Sequence, residues 1–465
     1  MIKFFCLLFT VATISFSAIS QGQPSGKRKI PGQYIVILKD TPLITSTLPG
    51  RLTNRINKQT ANARKRFDLR RKVLAFSNGA IGDTAIKIFT DVLVGFRVSN
   101  IDKVKLAKLK RNANVKGVFE DYSITFVDPQ IQATPIFQSL TSQATPIFQA
   151  TPIFQATPIF QSDNSAEATP IFQETTRLTQ DDPIFKQYEL DPVTRETAAV
   201  KKAGGAQKSE ADSNAIWFLD TGIDTAHADL NVVVSLCKSF APGELTDVFD
   251  HNGHGTHCAG IAAAKNNGIG VTGVAAGARI IAVKVLDKDG NGSWSSVIQG
   301  LDYVAQFSLA GDVVNMSLGD FDSTNTITSV PPLTNAITNL ALTKVMISMS
   351  AGNSAGDAKF NLPGLINGAN IYTTAAITLD TLKNENLFDS RYSNFNADAR
   401  GPVDFVSVGT HILSTWPGNG YRIISGTSMA SAVTAGVLFA RKGKPLEGVK
   451  VEFHGVSYAI AKWNN

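Results

Sequence analysis

Three short stretches of the chain carry side chains that could do covalent chemistry together. The first is Asp220-Thr-Gly-Ile-Asp224, which closes the strand-length apolar run Ile216-Trp-Phe-Leu219. A carboxylate at such a strand end can be a turn residue, a metal ligand or a partner for a base. The second is His251-Asn-Gly-His-Gly-Thr-His-Cys258, running into the small residues Ala259 to Ala264. Histidines spaced by three invite a zinc reading, but no Glu stands at the spacing of a helical zinc-protease motif, and glycines interrupt the segment before a helix can form. That places His254 at the mouth of a helix starting near Gly255, with no catalytic metal. The third is Ser425-Gly-Thr-Ser-Met-Ala430, followed by Ser431 to Ala440, which is nearly apolar on every side. A helix of that kind is buried. Ser428 then sits at its amino end, where unpaired backbone amides and the helix dipole favour negative charge, as a plain helix cap or as a nucleophile.

Asp, His and Ser can act as orienter, base and nucleophile, and here each stands in a Gly-rich context that brings backbone close to a site. Their chain order, Asp then His then Ser, is that of subtilisin; chymotrypsin-like enzymes and α/β-hydrolases run in other orders. Through Asp220-Thr-Gly-Ile-Asp, Gly253-His-Gly-Thr-His-Cys-Ala-Gly260 and Ser425-Gly-Thr-Ser-Met-Ala-Ser431 the sequence resembles the subtilisin-like serine proteases, and among them the proteinase K-like group. The resemblance covers about Ala215 to Leu438 well and Gln33 to Phe126 more loosely. It implies a secreted endopeptidase with Ser428 as nucleophile, His254 as general base and then acid, and Asp220 as the buried carboxylate that orients His254.

The same resemblance assigns further roles. Ala351-Gly-Asn353 matches the oxyanion motif, so Asn353 and the Ser428 N–H would bind the oxygen of the tetrahedral intermediate. Ser317-Leu318-Gly319 would pair with substrate backbone as an added strand. Gly319 and Gly352 would line a pocket suited to large apolar side chains. A structural Ca²⁺ would take the Asp229 carboxylate, the Asn267 side chain and the carbonyls of Lys265, Ile269 and Val271, all hard oxygen donors. The chain departs from the family pattern at Asp320, where a small residue is usual, at Val408, where Pro is common, and at Ala432 and Val433, where Pro and His are usual. Residues 448 to 461 read as strands where terminal helices are usual.

The elements that must hold these residues follow from periodicity. After residue 200, apolar runs of strand length (Ala215 to Leu219, Ile280 to Val285, Val313 to Met316, Lys344 to Ser348) alternate with helix-length segments (Ser296 to Phe307, Pro332 to Leu342). Such alternation predicts an α/β fold, a parallel sheet covered by helices, with its site at the carboxyl ends of the strands. Ahead of it, strands at Gln33 to Lys39, Ala85 to Phe89, Val92 to Val98 and Val115 to Phe119, with helices at Leu52 to Ala75 and Ile101 to Leu109, predict a small α+β domain. By resemblance this is an inhibitory prodomain, the chain's own intramolecular inhibitor.

The full division expected is a signal peptide over 1–20, the prodomain over 21–127, a linker over 128–200 and the catalytic domain over 201–465. Lys3 followed by a short apolar run carries the signal reading, hence a secreted or periplasmic protein with no membrane span. The linker repeats Ala-Thr-Pro-Ile-Phe-Gln five times, from Ala133, Ala144, Ala150, Ala156 and Ala168. A proline in each copy blocks a continuous helix or central strand, leaving a passive spacer or a binding or cleavage segment. The net charge of +6 hides an asymmetry, since residues 21–126 hold 21 basic and 7 acidic side chains and residues 127–465 hold 22 and 31. The basic third has no aromatic platform or recognised motif behind it, so no nucleic acid is expected; the partners are polypeptide substrates and the chain is expected to be a monomer. Cys237 and Cys258 could form one bridge or remain two buried thiols. The competing class is a non-catalytic secreted binding protein that works through its repeats.

Overall fold

The computed structural model describes residues 29–40, 55–82, 87–125, 190–322, 330–380 and 385–464. The segment expected to be a signal peptide and the intact repeats lie outside the described residues. The chain forms two packed units. The first holds β1 (Lys29–Leu38), α1 (Arg55–Ile81), β2 (Lys87–Phe89), β3 (Gly95–Val98), α2 (Lys103–Arg111) and β4 (Val115–Thr125), its antiparallel strands in the order β2-β3-β1-β4. Side chains along β1 alternate in destination as a strand's period of two requires. Val36 and Leu38 pack with Val73 of α1 and Leu109 of α2, whereas Ile35 and Ile37 join the core of the second unit. The helix α1 runs past the expected end at Ala75 because Phe76, Ala80 and Ile81 continue its apolar stripe onto the sheet.

The second unit begins with α3 (Ala198–Lys202) and β5 (Ala215–Asp220), and continues through β6 (Lys238–Ser239), α4 (His254–Ala263), β7 (Arg279–Lys284), β8 (Asn291–Ser293), α5 (Trp294–Phe307), β9 (Val313–Met316) and β10 (Asp320–Phe321). It is completed by α6 (Pro331–Ala341), β11 (Met346–Ser350), β12 (Asn361–Leu362), β13 (Ile371–Asp380), β14 (Glu385–Phe388), β15 (Val403–Val408), β16 (Ile412–Trp416), β17 (Gly420–Ile424), α7 (Thr427–Arg441), β18 (Leu446–Phe453) and β19 (Val456–Lys462). The sheet order is β18-β19-β15-β13-β11-β9-β5-β7-β6, and β19 through β6 are parallel. This is the expected α/β architecture with helices on both faces. Ile216 and Phe218 of β5 face the cluster containing α4 and α7, while Ala215, Trp217 and Leu219 face α5 and α6. Because both faces are covered, all six residues of β5 are buried.

Chain order reverses at β5, which leads outward through β7 on one side and through β9, β11 and β13 on the other. A crevice opens outside the strand ends at such a reversal, and Asp220 stands on its rim. Residues 190–200, read from the sequence as linker, belong instead to this unit: Leu190, Ala199 and Val200 are buried in its core and Thr197 caps α3. The hydrophobic gain of burying those three side chains is what draws the folded boundary forward. The C-terminal strands are as expected, a β18–β19 hairpin that extends the main sheet. Cys237 and Cys258 are both free. Among the described residues no helix is long and apolar enough to cross a membrane.

The two units share a sheet edge, since β4 continues beyond Phe119 and pairs antiparallel with β8 (Ser123↔Ser293, Ile124↔Gly292, Thr125↔Asn291). Asp302 of α5 accepts the backbone N–H groups of Thr90, Asp91 and Val92 at 3.1, 2.6 and 2.9 Å. Asp121 accepts the N–H of Ser295 in the first turn of α5 at 3.2 Å, and Asn339 donates to the Val92 carbonyl at 2.7 Å. The basic helices α1 and α2 mostly cover the other face of the small sheet. Replacing Asp302 by Ala strands three buried donors, each costing ~1–3 kcal/mol. Hydrogen exchange on the intact chain is expected to quicken across residues 87–98 in Asp302→Ala while β5 and β9 keep their protection; wild-type exchange at Thr90 to Val92 would show that this carboxylate does not hold the two units together.

Candidate active site

The first component comes from the end of β5. Asp220 is fully buried and accepts the Nδ1–H of His254 at 2.7 Å and the Thr221 N–H at 2.7 Å. Two glycines permit the approach. Gly253 has φ +105°, a left-handed value costly for other residues, and a Cβ there would lie 2.1 Å from the Trp416 ring. A Cβ on Gly255 would lie 2.1 Å from the Gly222 carbonyl and 3.2 Å from an Asp220 carboxylate oxygen. A larger residue at position 255 would therefore push α4, with His254 in its first turn, off the end of β5.

Burial works against a charged His254, but the Asp220 carboxylate outweighs it and holds the imidazole well above its ordinary range. With Nδ1–H donated to Asp220, the other ring nitrogen, Nε2, faces Cys258 one turn along α4, 3.9 Å from its sulfur. Burial pushes the Cys258 thiol up, so it lies under the imidazole as a neutral group. The three histidines do not converge. His251 is paired with Asp247 at the surface at 2.6 Å, while His257 points back to the carbonyls of Ile412 and Arg422 at 3.0 and 2.9 Å. Burial drives His257 down to about 3, leaving it neutral.

The nucleophile candidate comes from α7, buried along Thr427 to Phe439 as its all-round apolar pattern predicts. Ser428 is 3% exposed, and its hydroxyl donates to the Ser317 carbonyl at 3.3 Å. Ser317 follows β9, the strand beside β5. Its own hydroxyl donates to the Ser428 carbonyl at 2.9 Å and meets Ser431 Oγ at 2.8 Å, so its side chain ties α7 to the sheet while its carbonyl faces the nucleophile. Leu318 is buried, and a Cβ on Gly319 would meet the Leu362 carbonyl at 2.6 Å. Asp320 is buried and its backbone pairs with Leu362, continuing the segment as β10 against β12.

Asn353 is fixed by a residue to which the sequence reading gave no role. Thr427, just before the candidate nucleophile, donates both its N–H and its hydroxyl to Asn353 Oδ1 at 2.9 and 2.8 Å. With the oxygen engaged on α7, the Asn353 amide nitrogen is the end turned away from Thr427. Asn394 clamps the loop on either side of Asn353. It donates to the carbonyls of Gly352 and Ala351 at 2.9 Å each, and its Oδ1 accepts the N–H groups of Ser354 and Gly356 at 2.9 and 3.0 Å. Gly352 has φ +101°, and a Cβ there would meet Asn394 and Asn361 at 2.4 and 2.5 Å. Position in the Gly-Thr-Ser motif could have flagged Thr427; Asn394, about 40 residues from its partners, left no such signal.

Of the five residues read as a cation site, Lys265 and Val271 hydrogen-bond to Asp229 through their backbone N–H groups. Asp229 is fully buried; its Oδ2 accepts from Val271 N–H at 3.1 Å and Tyr421 OH at 3.2 Å, and its Oδ1 has no hydrogen-bond partner. Burial pushes its carboxyl up to about 7, against the pull of those donors. The loop from Lys265 to Val271 wraps around it, with Lys265 N–H on the Asp229 carbonyl at 2.9 Å and Asn267 Oδ1 accepting from Ile269 N–H at 3.1 Å. A buried carboxylate oxygen without a donor, beside a carbonyl-rich loop, fits a hard cation. Tyr421 and Arg195, whose Nε donates to the Gly270 carbonyl at 3.0 Å, complete the surroundings and were not foreseen.

Residues 214–442 match the family model of the subtilase family, Peptidase_S8. An intracellular serine protease of Paenibacillus polymyxa is 37% identical over 262 residues, covering 55% of this chain and 74% of that protein. Thermitase of Thermoactinomyces vulgaris is 31% identical over 286 residues, covering 61% of this chain and 93% of its own. A cold-adapted subtilisin-like serine proteinase of known structure is 28% identical, spans 55% of this chain and 90% of its own, and superposes with a TM-score of 0.45. The chain thus belongs to the subtilase family and is a subtilisin-like serine endopeptidase.

Proposed function

We propose that Asp220, His254 and Ser428 are the catalytic triad of this endopeptidase. The observation that carries the assignment is the buried 2.7 Å hydrogen bond from His254 Nδ1 to Asp220. That bond selects the tautomer whose Nε2 can accept a proton. Ser428 Oγ attacks the carbonyl carbon of the scissile peptide as its proton passes to His254 Nε2, and Asp220 stays ionised to stabilise the imidazolium. Negative charge develops on the former carbonyl oxygen. The Asn353 amide and the Ser428 backbone N–H receive it, a donor of this kind lowering the barrier by ~3 kcal/mol. The tetrahedral intermediate then collapses, the C–N bond breaks, and His254 gives the proton to the leaving amine. Water, deprotonated by the same imidazole, hydrolyses the acyl-Ser428 ester and restores the hydroxyl.

In this reading Ser317, Leu318 and Gly319 align the substrate backbone, and Gly319 and Gly352 shape a pocket for a large apolar side chain. The protein is made as a secreted zymogen. Residues 21–127 act as its own inhibitor, supported by the shared β4–β8 edge and the Asp302 contacts. A structural Ca²⁺ would be held by Asp229, Asn267 and the carbonyls of Lys265, Ile269 and Val271, neutralising a carboxylate that otherwise lies buried and half unpaired.

Three measurements test this reading. Ser428→Ala is expected to lose casein hydrolysis and labelling by a serine-directed inhibitor, and to accumulate as a precursor starting near Gln21; normal maturation of that variant in a protease-free host would assign the processing to another enzyme. The second is the pH profile of kcat/KM. Because catalysis needs neutral His254 and its pKa is raised, activity should climb with pH through a midpoint above the ordinary histidine value of ~6.5; an acid limb centred below that would remove His254 as the base. The third is calcium removal. A ligand bound only by the folded state stabilises it by mass action, so a chelator should lower the melting temperature of the wild type and leave Asp229→Ala unmoved. Equal sensitivity in both would take these residues out of the calcium account.

A further inference from the structure

The distance between β5 and the first turn of α4 is set by a residue outside the three motifs. Asp250 is fully buried and stands four residues before His254. Its Oδ1 accepts the Thr221 hydroxyl at 2.8 Å and the N–H groups of Asn252 and Gly253 at 3.1 and 2.8 Å. Its Oδ2 accepts the N–H and the hydroxyl of Thr256 at 2.8 and 2.7 Å. Thr221 is the neighbour of Asp220; its Oγ1 in turn accepts the Gly255 N–H at 3.0 Å. Thr256 lies two residues after His254, and its Oγ1 accepts the Asp224 N–H at 3.0 Å. One carboxylate therefore joins the segment beginning at Asp220 to the backbone on both sides of His254.

Its own backbone is held in place. Lys284 of β7, fully buried, donates to the carbonyls of Thr221 and Phe249, the residue before Asp250, and pairs with Glu244 at 2.9 Å. The anchor is thus continuous with β5 and with β7 beside it.

We propose that Asp250 is a positioning residue of the active site, holding His254 in register with Asp220 through Thr221 and Thr256. It rests on the reading of Asp220, His254 and Ser428 as the triad. Two consequences follow. A loosened α4 turn lets the imidazole drift, and a displacement of about 1 Å at a catalytic group costs ~10²-fold in rate. Asp250 also places negative charge beneath the amino end of α4, where it offsets the positive end of the helix dipole and favours the imidazolium formed during catalysis. The other groups facing that imidazole are Asp220 from β5 and Cys258 from its own helix, with neutral His257 behind it.

Asp250→Asn keeps the shape of the side chain but puts a donor where an acceptor is needed. In purified enzyme, with kcat expressed per Ser428 titrated by a phosphonofluoridate, this variant is expected to lose ~10²-fold in kcat with KM within about twofold. The acid limb of its kcat/KM profile should move to lower pH, a shift that a merely structural residue would not cause. Thr221→Val is expected to lower kcat in the same way, and Thr221→Ser, which restores the hydroxyl, to recover most of the loss; this pair decides the matter if Asp250→Asn does not fold. A folded Asp250→Asn with wild-type kcat per titrated site and an unmoved acid limb would overturn the inference, as would equal kcat in Thr221→Val and Thr221→Ser. Failure of the wild type itself to react at Ser428 would remove the triad reading and this inference with it. Rapid labelling of wild type and Asp250→Asn alike would remove this inference alone.

Discussion

A fully buried hydrogen bond between a carboxylate and an imidazole, 2.7 Å long, is the constraint around which the catalytic unit is arranged. Burying either group alone is costly, because a charge removed from water must be paired and hydrogen-bonded to persist. Here the cost is met by bringing the carboxyl end of β5 against the amino end of α4. Both backbones must approach closely, which is why Gly222, Gly253 and Gly255 surround the contact and why a Cβ at any of them would collide with backbone or an aromatic ring. The parallel sheet supplies the opening, since its strand order reverses beside β5 and leaves a crevice where the strand ends emerge.

The other components reach the same crevice by the packing of α7. Its small residues let it lie close to α4 and to the sheet: a Cβ on Gly436 would be 2.7 Å from Val274 and 3.0 Å from the Ala262 carbonyl. Ser317 and Ser431 fasten its first turn to β9, and Ser348 of β11 donates to the Ser431 carbonyl at 2.8 Å. Thr427 then serves two ends at once, as part of the turn presenting Ser428 and as the group orienting Asn353. The proposed nucleophile and the proposed oxyanion donor are thereby fixed relative to each other through a single residue. Such preorganisation is where most of the electrostatic stabilisation of a transition state originates, because the donors need not reorient as charge develops.

The small N-terminal unit is attached by the same two devices that hold strands and helices elsewhere, a shared sheet edge and carboxylates on backbone N–H groups. Asp121 reaches the amino end of α5, and Asp302, further along that helix, reaches back to Thr90, Asp91 and Val92. Apolar contact completes the junction, with Ile35, Ile37, Phe89 and Val92 buried beside Trp294 and Leu301. Among the described residues, the lysines and arginines of α1 and α2 make no hydrogen bond to the second unit. Within the first unit the Arg66 guanidinium grips the Asp91 carboxylate at 2.8 and 3.0 Å and so steadies the turn that Asp302 holds.

The sequence alone was enough to place Asp220 at a strand end, His254 at a helix mouth and Ser428 at the start of a buried helix, because these depend on local periodicity and on where glycine stands. It was enough as well for the alternation of strands and helices, and for the strands that close the chain. Helix and strand ends were less legible: α1 runs on to Ile81 and β4 to Thr125 because of what they pack and pair with, which no local pattern records. Residues 190–200 looked like linker for the same reason, their few apolar side chains gaining a core only when the sheet is assembled. Tertiary structure alone decided that Asn394 clamps the loop around Asn353, that Tyr421 meets Asp229, that the two cysteines stay apart and that Asp250 spans Thr221 and Thr256. A hydrogen bond between distant residues depends on the relative placement of whole elements, and that placement is set by the summed burial of the core rather than by the residues that make the bond.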